Sequence, residues 1–283
     1  MRYKTLCFGS IFIFLAYHSY VAIPENIEEP WKVRIIDAGM KISSLMATLL
    51  ENMGLMKFEE FFAILMGFQD TKPVSDENIT VIDTDFSGIP VRLYLPKRKS
   101  AKQRPAVIYI HGGAYILGSF KMLPYDSVNR WTTNKLDAVV MAPDYRLAPQ
   151  HLFPAALEDC IFVVKLFLQD KVLAKYGVDP TRICISGDSS GGTLAATVTQ
   201  LVCFNDSQLQ KLPLTYILTC EHDILRDDGL IYVTRLTNVG VPITHEHIED
   251  GIHGVISFAT APFHLQLGLR LIDKYIIWLK ENL

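Results

Sequence analysis

The feature that most constrains the fold of this chain is a serine between a strand-forming and a helix-forming segment, at residues 183–194. The apolar, β-prone residues 183–185 lead into the pentapeptide Gly187-Asp188-Ser189-Ser190-Gly191, and a segment rich in Ala, Thr and Leu follows. A nucleophile elbow needs this order, because small neighbours let the strand and the helix approach closely. The pentapeptide alone is a weak signal, since Gly and Ser also populate loops and a serine can simply cap a helix.

Strand-like and helix-like patterns alternate along the rest of the chain. A side-chain pattern with a period of two residues predicts a β-hairpin over 79–96. Continuous apolar runs predict buried strands at 105–110, 138–143, 183–186 and 214–220. A last strand is predicted at 243–248. Apolar spacing predicts helices over 28–70, 153–170, 227–239 and 262–279. Such alternation predicts an α/β fold whose mostly parallel sheet is covered by helices on both faces.

The N-terminal residues predict a secretory targeting segment over residues 1–23. Basic residues precede an uncharged apolar stretch, as in a cleaved signal peptide or a retained signal anchor; a buried N-terminal helix is the alternative. Residues 24–283 are predicted to form one domain, in which helices over 24–75 either pack in the core or form part of a cap. The sequons at Asn78 and Asn205 are glycosylation candidates of a lumenal chain.

Charge and cysteine usage exclude several classes of function. The net charge is -3, with 27 basic and 30 acidic residues and no long basic run, so nucleic acid is not an expected partner. The five cysteines show no CxxC pair and no zinc spacing; Cys160 and Cys184 are interpreted as buried small hydrophobes, and the odd count leaves disulfides open. His245 and His247 share one strand face without a matching carboxylate or cysteine set, which favours a solvated face over a metal site.

Four polar signatures fall where predicted strands end: the loop His111-Gly112-Gly113, then Ser189, Asp223 and His253. Ligands of parallel α/β sheets bind beyond the carboxyl ends of the strands, so these residues are expected at one edge. The order Ser, Asp, His is that of a hydrolase triad, and each gap holds one helix and one strand.

Each residue type matches one chemical need of acyl transfer. A serine hydroxyl requires a base, which His253 would supply, and Asp223 would orient the imidazole and stabilise its cation. The amides of Gly112, Gly113 and Ser190 would form an oxyanion hole. Two assignments stay open from the residues alone: the acid has alternatives in Asp227 and Asp228, and the base has alternatives in His222, His245, His247 and His264.

These motifs resemble those of the hormone-sensitive-lipase group of carboxylesterases, and finer features resemble its arylacetamide deacetylase branch. The resemblance rests on motifs along nearly the whole chain: His111-Gly112-Gly113-Ala114, Asp144-Tyr145-Arg146-Leu147-Ala148-Pro149, Gly187-Asp188-Ser189-Ser190-Gly191-Gly192, Asp223-Ile224-Leu225-Arg226-Asp227-Asp228-Gly229-Leu230, and Trp278-Leu279-Lys280-Glu281-Asn282-Leu283. It implies an α/β-hydrolase fold and hydrolysis of hydrophobic acyl esters or arylacetamides without a cofactor. It also implies the endoplasmic reticulum or secretory pathway, with membrane attachment if the N-terminal segment is retained, or secretion after cleavage.

The resemblance also assigns the site, with Ser189 as nucleophile, Asp223 as acid and His253 as base. Gly112 and Gly113 would line the oxyanion hole, with His111 and Ala114 completing that motif. Ala114 replaces a third glycine found in many members, which would tune the acyl pocket. Ile116 stands where a cysteine able to bridge to the position of Cys220 is expected, so Cys220 is predicted to be unpaired.

The largest departure from the family follows the helix after Ser189. Residues 202–204 run almost directly into 205–213, where relatives have a further strand, a helix and part of the cap. The missing strand would lie inside the sheet, so its neighbours must close up or leave backbone groups unpaired, at about 1–3 kcal/mol for each buried orphan. A hydrolase-like chain that does not turn over, serving as a binding module or folding poorly, is therefore the alternative function.

Overall fold

A computed structural model describes residues 23–203 and 212–283. Nearly all of the predicted targeting segment and the sequon at Asn205 therefore lie outside the described residues. The chain divides into two units between Leu65 and Met66. Within the two described ranges, no helix combines the length and the apolar character needed to cross a membrane.

The described part of the first unit, residues 23–65, is mainly helical, as the apolar spacing of residues 28–70 predicts. Helix α1 spans Pro30–Asn52 and begins with a proline, whose fixed φ suits the first turn of a helix. Helix α2 spans Phe58–Gly67 and carries Glu59 and Glu60 in its first turn, where carboxylates interact favourably with the helix dipole. A cap role for residues 24–75 stays a prediction.

The second unit alternates strands and helices in the predicted manner. Its elements are β1 (Ile79–Phe86), β2 (Ile89–Pro96), β3 (Arg104–Ile110), α3 (Leu123–Leu136), β4 (Val139–Pro143), α4 (Ala155–Phe167), α5 (Asp170–Tyr176), β5 (Val178–Gly187), α6 (Ser190–Cys203), β6 (Thr215–His222), α7 (Arg226–Asn238), β7 (Ile243–Ile252) and α8 (Gln266–Asn282). The helix predicted over 153–170 ends at Phe167, and α5 follows it as a separate short helix.

Five strands form a mixed sheet in the order β1-β2-β4-β3-β5. Strands β3, β4 and β5 are parallel, whereas β2 runs antiparallel to both β1 and β4. Because side chains alternate across a strand, Ile108 and Ile110 of β3 pack into the layer that contains α4, α5 and α6. Val107 and Tyr109 pack into the opposite layer with α3 and α8. The sheet is therefore covered on both faces, as the sequence predicts.

Strands β6 and β7 form a separate two-stranded parallel sheet, and β5 does not pair with β6. Of the two outcomes expected for a missing internal strand, closing up or staying unpaired, the structure has the second. Residues 183–187 of β5 are all partly exposed, whereas residues 105–110 of the neighbouring β3 are buried. The free edge of β5 thus lies partly open to solvent, which lowers the cost of its unpaired backbone groups.

Helices connect the two sheets on both faces. Most buried residues of α8 lie in the layer beneath the five-stranded sheet, yet the Trp278 ring of the same helix contacts Tyr216 of β6, with 5.2 Å between ring centroids. The indole Nε1 of Trp278 also donates to Thr244 Oγ1 of β7 at 3.1 Å. On the other face, Gln200 of α6 donates to the hydroxyl of Tyr232 of α7 at 3.2 Å. These contacts, rather than a strand ladder, connect the two halves of the site.

Helix α3 was not expected from the sequence, because its buried face carries polar residues. The fully buried Arg92 of β2 donates to Asp126 of α3 at 3.1 Å and to Asp83 of β1 at 2.7 Å. Its guanidinium also lies over the Phe120 ring, 4.9 Å from the centroid. Because the buried face of α3 includes an aspartate that takes part in this ion-pair network, the helix lacks the apolar stripe by which an amphipathic helix is recognised in a sequence.

Candidate active site

The turn between β5 and α6 holds Ser189 in a strained backbone conformation. Its φ is +51°, in the left-handed region that non-glycine residues rarely adopt. A Cβ on Gly187 would lie 2.6 Å from the carbonyl oxygen of Ile110, and one on Gly191 would lie 2.5 Å from that of His111. Only glycine fits at either position, so the strand and the helix meet as closely as a nucleophile elbow requires.

The three residues singled out from strand ends meet at this turn. Ser189 Oγ lies 3.1 Å from His253 Nε2, and His253 Nδ1 lies 2.7 Å from Asp223 Oδ1. Because a carboxylate only accepts hydrogen bonds, Nδ1 carries the proton in this arrangement, which leaves Nε2 free to accept from the serine hydroxyl. Asp223 is held in turn by the amide of Leu225, which donates to its Oδ1 at 2.7 Å.

Several alternatives that the sequence left open have other partners. Asp227 accepts from Arg226 Nε at 2.9 Å, with 75% of its side chain exposed. His245 Nε2 and His247 Nδ1 both contact Thr219 Oγ1, at 3.0 and 2.9 Å. Residues 23–203 and 212–283 contain no group of three or more side chains suited to hold a metal ion.

The loop after β3 passes beside Ser189. The amide of Gly112 donates to Asp188 Oδ1 at 3.2 Å, so in this conformation it is already engaged. Gly113 has a φ of +121°, and a Cβ there would meet the backbone carbonyl carbon of Leu117 at 2.6 Å. The amides of Gly113 and Ser190 donate to no acceptor within the described parts of the chain, and Ser190 opens α6. Amides at a helix start favour developing negative charge.

His111 and Ala114 shape this loop from within. The His111 side chain is buried and stacks on the Tyr145 ring at 4.3 Å between centroids, while Tyr145 donates to the His111 carbonyl oxygen at 2.9 Å. His111 Nδ1 lies 2.7 Å from the carbonyl oxygen of Gly112, to which it donates. Burial lowers the pKa of His111, so a neutral ring supports the loop. Ala114 adopts a φ of +56°, where a glycine would be unstrained.

Asp188 and Tyr109 are part of this arrangement, although no sequence pattern indicates a role for them. The Tyr109 hydroxyl donates to Asp188 Oδ1 at 3.1 Å, beside the bond from Gly112. Burial raises the pKa of Asp188 to about 6, against the opposing effect of these hydrogen bonds. The sequence feature that could have pointed to Asp188 is its position directly before the candidate nucleophile.

Three buried or partly buried cysteines carry free thiols. Cys160, Cys184 and Cys220 are unpaired. Burial raises the pKa of each thiol to about 12, so none is a reactive thiolate at neutral pH. Cys160 is fully buried and Cys184 partly so, in line with their interpretation as small hydrophobes.

This chain is similar to proteins that are named as deacetylases and carboxylesterases. The profile of the alpha/beta hydrolase fold matches residues 107–205 and 200–257. The chain is 42% identical to human arylacetamide deacetylase-like 2 and 35% identical to mouse arylacetamide deacetylase, covering 100% and 99% of this chain and 100% of each relative. A thermostable carboxylesterase cloned from a metagenomic library, EstE1, is 26% identical, with a TM-score of 0.64 over 80% of this chain and 95% of the esterase.

The same comparisons locate the missing block. The two segments that match the fold profile meet at residues 200–205, at the end of α6. The alignment with the human relative spans 401 residues, whereas this chain has 283, so more than a hundred aligned positions have no residue here. Along the chain, this break lies between β5 and β6, the two strands that do not pair with each other.

Proposed function

We infer that this chain, which belongs to the arylacetamide deacetylase family of α/β-hydrolase carboxylesterases, cleaves hydrophobic acyl esters or arylacetamides through an acyl-enzyme on Ser189. Membership of this family makes it a carboxylic ester hydrolase. The observation that carries the finer proposal is the continuous line of hydrogen bonds from Ser189 through His253 to Asp223. No cofactor takes part in the proposed reaction.

The first half of the proposed reaction forms the acyl-enzyme. Ser189 Oγ attacks the substrate carbonyl carbon while His253 Nε2 takes the hydroxyl proton, and Asp223 stabilises the imidazolium that results. The imidazolium then gives this proton to the leaving alcohol or amine as the bond to it breaks. In the second half, His253 takes a proton from water, the hydroxide attacks the acyl carbon, and Ser189 recovers its proton on departure.

The amides of Gly113 and Ser190 are the donors that we assign to the oxyanion of both tetrahedral intermediates. Neither amide is used elsewhere in the described chain, and loss of one such donor costs about 3 kcal/mol of transition-state stabilisation in known cases. Gly112 was also expected as a donor, but its amide bonds to Asp188. In the proposal Gly112 therefore contributes by its close packing against the elbow.

The substrate class and the cellular location follow from the family and are proposed with it. The relatives' names specify arylacetamides, which are small and hydrophobic, and the proposed substrates are small esters and amides of that kind. We assign the chain to the endoplasmic reticulum or the secretory pathway, attached through residues 1–23 or secreted after their removal, with glycans at Asn78 and Asn205. Nucleic acid is not a proposed partner.

A fluorophosphonate probe, which phosphonylates an activated serine, tests this function directly. Purified protein is expected to be labelled, and Ser189→Ala is expected to lose the label. Ser100→Ala, which removes an exposed loop serine, is the matched control and is expected to be labelled like the parent chain. Absence of label on parent protein that melts cooperatively would refute the proposal.

A hydrolase-like binding module or a poorly folded chain is the second candidate, and the unpaired edges of β5 and β6 favour it. Ser189 follows a strand of one sheet, while Asp223 and His253 follow strands of the other, so relative movement of the sheets would separate them. A thermal melt followed by circular dichroism separates the two candidates. A broad transition with absent labelling would support a poorly folded chain, a sharp transition with absent labelling would support a binding module, and a sharp transition with labelling would support the first candidate.

A further inference from the structure

We propose that Asp188 is a positioning residue, whose carboxylate oxygen Oδ1 connects the loop after β3 to the nucleophile turn and thereby fixes the oxyanion donors relative to Ser189. This inference rests on the proposed function and adds a residue to its machinery. Asp188 is not proposed to touch the substrate.

The geometry places one carboxylate oxygen at the junction of two segments. Oδ1 accepts from the amide of Gly112 at 3.2 Å and from the hydroxyl of Tyr109 at 3.1 Å, both contributed by β3 and the loop that follows it. Asp188 itself belongs to the turn after β5, and its backbone carbonyl accepts from the amide of Gly191 at 2.8 Å. One residue therefore bonds to the loop with its side chain and to the helix start with its backbone.

The packing at Gly112 points to the same connection. A Cβ at this position would lie 2.8 Å from the carbonyl oxygen of Asp188, 2.9 Å from its Oδ2 and 3.2 Å from the Cβ of Ser189. The loop thus approaches the elbow at a distance that only glycine permits. A shift of the Asp188 side chain would release Gly112, and with it the adjoining amide of Gly113.

An acceptor is what this position requires, and an asparagine supplies one. The side-chain oxygen of Asp188→Asn can accept from Gly112 and Tyr109, because both partners donate. Asp188→Ala removes the acceptor and leaves the amide of Gly112 without its partner. Tyr109→Phe removes one donor but keeps the bond to Gly112, so it separates the contribution of the tyrosine from that of the loop.

The experiment compares full-length Asp188→Ala, Asp188→Asn, Tyr109→Phe and the parent chain. The control is Asp179→Asn, which changes a carboxylate at the opposite end of β5 whose partner is Thr181. The substrate is p-nitrophenyl butyrate, for which kcat and KM are measured separately. The second probe is an alkyl trifluoromethyl ketone: Ser189 Oγ adds to its carbonyl, His253 takes the serine proton, and the hemiketal oxyanion occupies the same hole.

A positioning role predicts a defect confined to states that carry an oxyanion. Asp188→Ala is expected to lower kcat by about 10- to 100-fold with KM within about threefold, and to weaken the trifluoromethyl ketone by a similar factor. Asp188→Asn is expected to recover most of both, and Tyr109→Phe to lose about threefold or less. A merely structural role would lower the active fraction without changing inhibitor affinity of the molecules that remain active.

The possible outcomes distinguish a failure of the positioning role of Asp188 from a failure of the proposed function. If the parent chain neither hydrolyses ester nor reacts with fluorophosphonate, the proposed function fails. If the parent chain is active and Asp188→Ala matches it in kcat and inhibitor affinity, the positioning role is overturned. Failure of Asp188→Asn to restore inhibitor affinity in a cooperatively melting protein would also overturn it, since the acceptor oxygen would then not be what matters.

Discussion

Replacing Gly191 by alanine tests whether the close approach of β3, β5 and α6 creates the site. The added Cβ would lie 2.5 Å from the carbonyl oxygen of His111 and nearer still to that of Ile110. Both obstacles are backbone atoms, so no side-chain rotation relieves the overlap, and α6 must move away from β3. Ordinary van der Waals contact would need about 1 Å more space, and the Ser189 hydroxyl would move with the helix start.

The expected cost follows from the size of that overlap. Overpacking of a well-packed region costs about 1–3 kcal/mol, and a backbone obstacle places this change at the upper end. At roughly 2–4 °C for each kcal/mol, Tm should fall by about 6–12 °C. A displacement of about 1 Å between the reacting groups costs on the order of 100-fold in rate, so the rate of fluorophosphonate labelling should fall by about that factor.

The assay pairs a thermal melt with labelling rates measured well below the melting range. Gly67→Ala is the matched control, because a Cβ there meets no atom within 4 Å and its φ is not positive. The control should label like the parent chain and melt within about 2 °C of it. If Gly191→Ala also melts within about 2 °C of the parent and labels at the parent rate, the close approach is not what builds the site.

Four further predictions follow from individual contacts. Arg92→Met removes one of the two cations of the buried Asp126, which keeps Arg130 at 2.6 Å, and should lower the free energy of unfolding by about 3 kcal/mol, the lower end for a broken buried pair, measured by urea denaturation; an unchanged midpoint would contradict it. Trp278→Ala removes a contact that connects the two sheets, so labelling of Ser189 should slow while far-UV circular dichroism is retained; equal labelling would show that the sheets are held otherwise. The pKa of Asp188 is about 6 in the folded chain, against an ordinary value of 3.8. Between these pH values the native state binds more protons than the unfolded state, so the protein loses stability as pH rises through them. Asp188→Asn should remove this loss and raise the free energy of unfolding by up to about 3 kcal/mol at pH 7, which is checked by Tm from pH 4 to 7. Ala114→Gly relieves a left-handed φ and should raise Tm by a few degrees in the same melt, whereas a lower Tm would show that the loop does not hold Ala114 at that φ.

Much of the fold could be predicted from the sequence because its signals are local. The hairpin of β1 and β2, the buried strands β3 and β4, and the elbow at Ser189 are specified by side-chain alternation, apolar runs and glycine spacing. Helix α3 escaped prediction because its buried face is polar, and its partner Arg92 lies on a strand far away in the chain. No local pattern records that two buried charges will meet.

The sequence also named the residues that form the candidate site, since strand ends of a parallel sheet converge on one edge. The residue types alone left Asp227 and Asp228 as alternatives to Asp223, and only the resemblance to the family assigned Asp223 as the acid. In the structure, Asp223 Oδ1 lies 2.7 Å from His253 Nδ1, whereas Asp227 pairs with Arg226. The role of Asp188 was equally hidden, because it depends on a loop that follows another strand.

The order of motifs along this chain determined its family and pointed to the chemistry that we propose for Ser189. Only the tertiary structure decided how the chain accommodates its missing block: β5 and β6 do not pair with each other, and helices α6, α7 and α8 hold the two sheets in contact. The physical reason is that strand pairing depends on the distance between backbones, which helix packing sets. A sequence specifies which residues prefer a strand, but not whether two strand edges come within hydrogen-bonding distance.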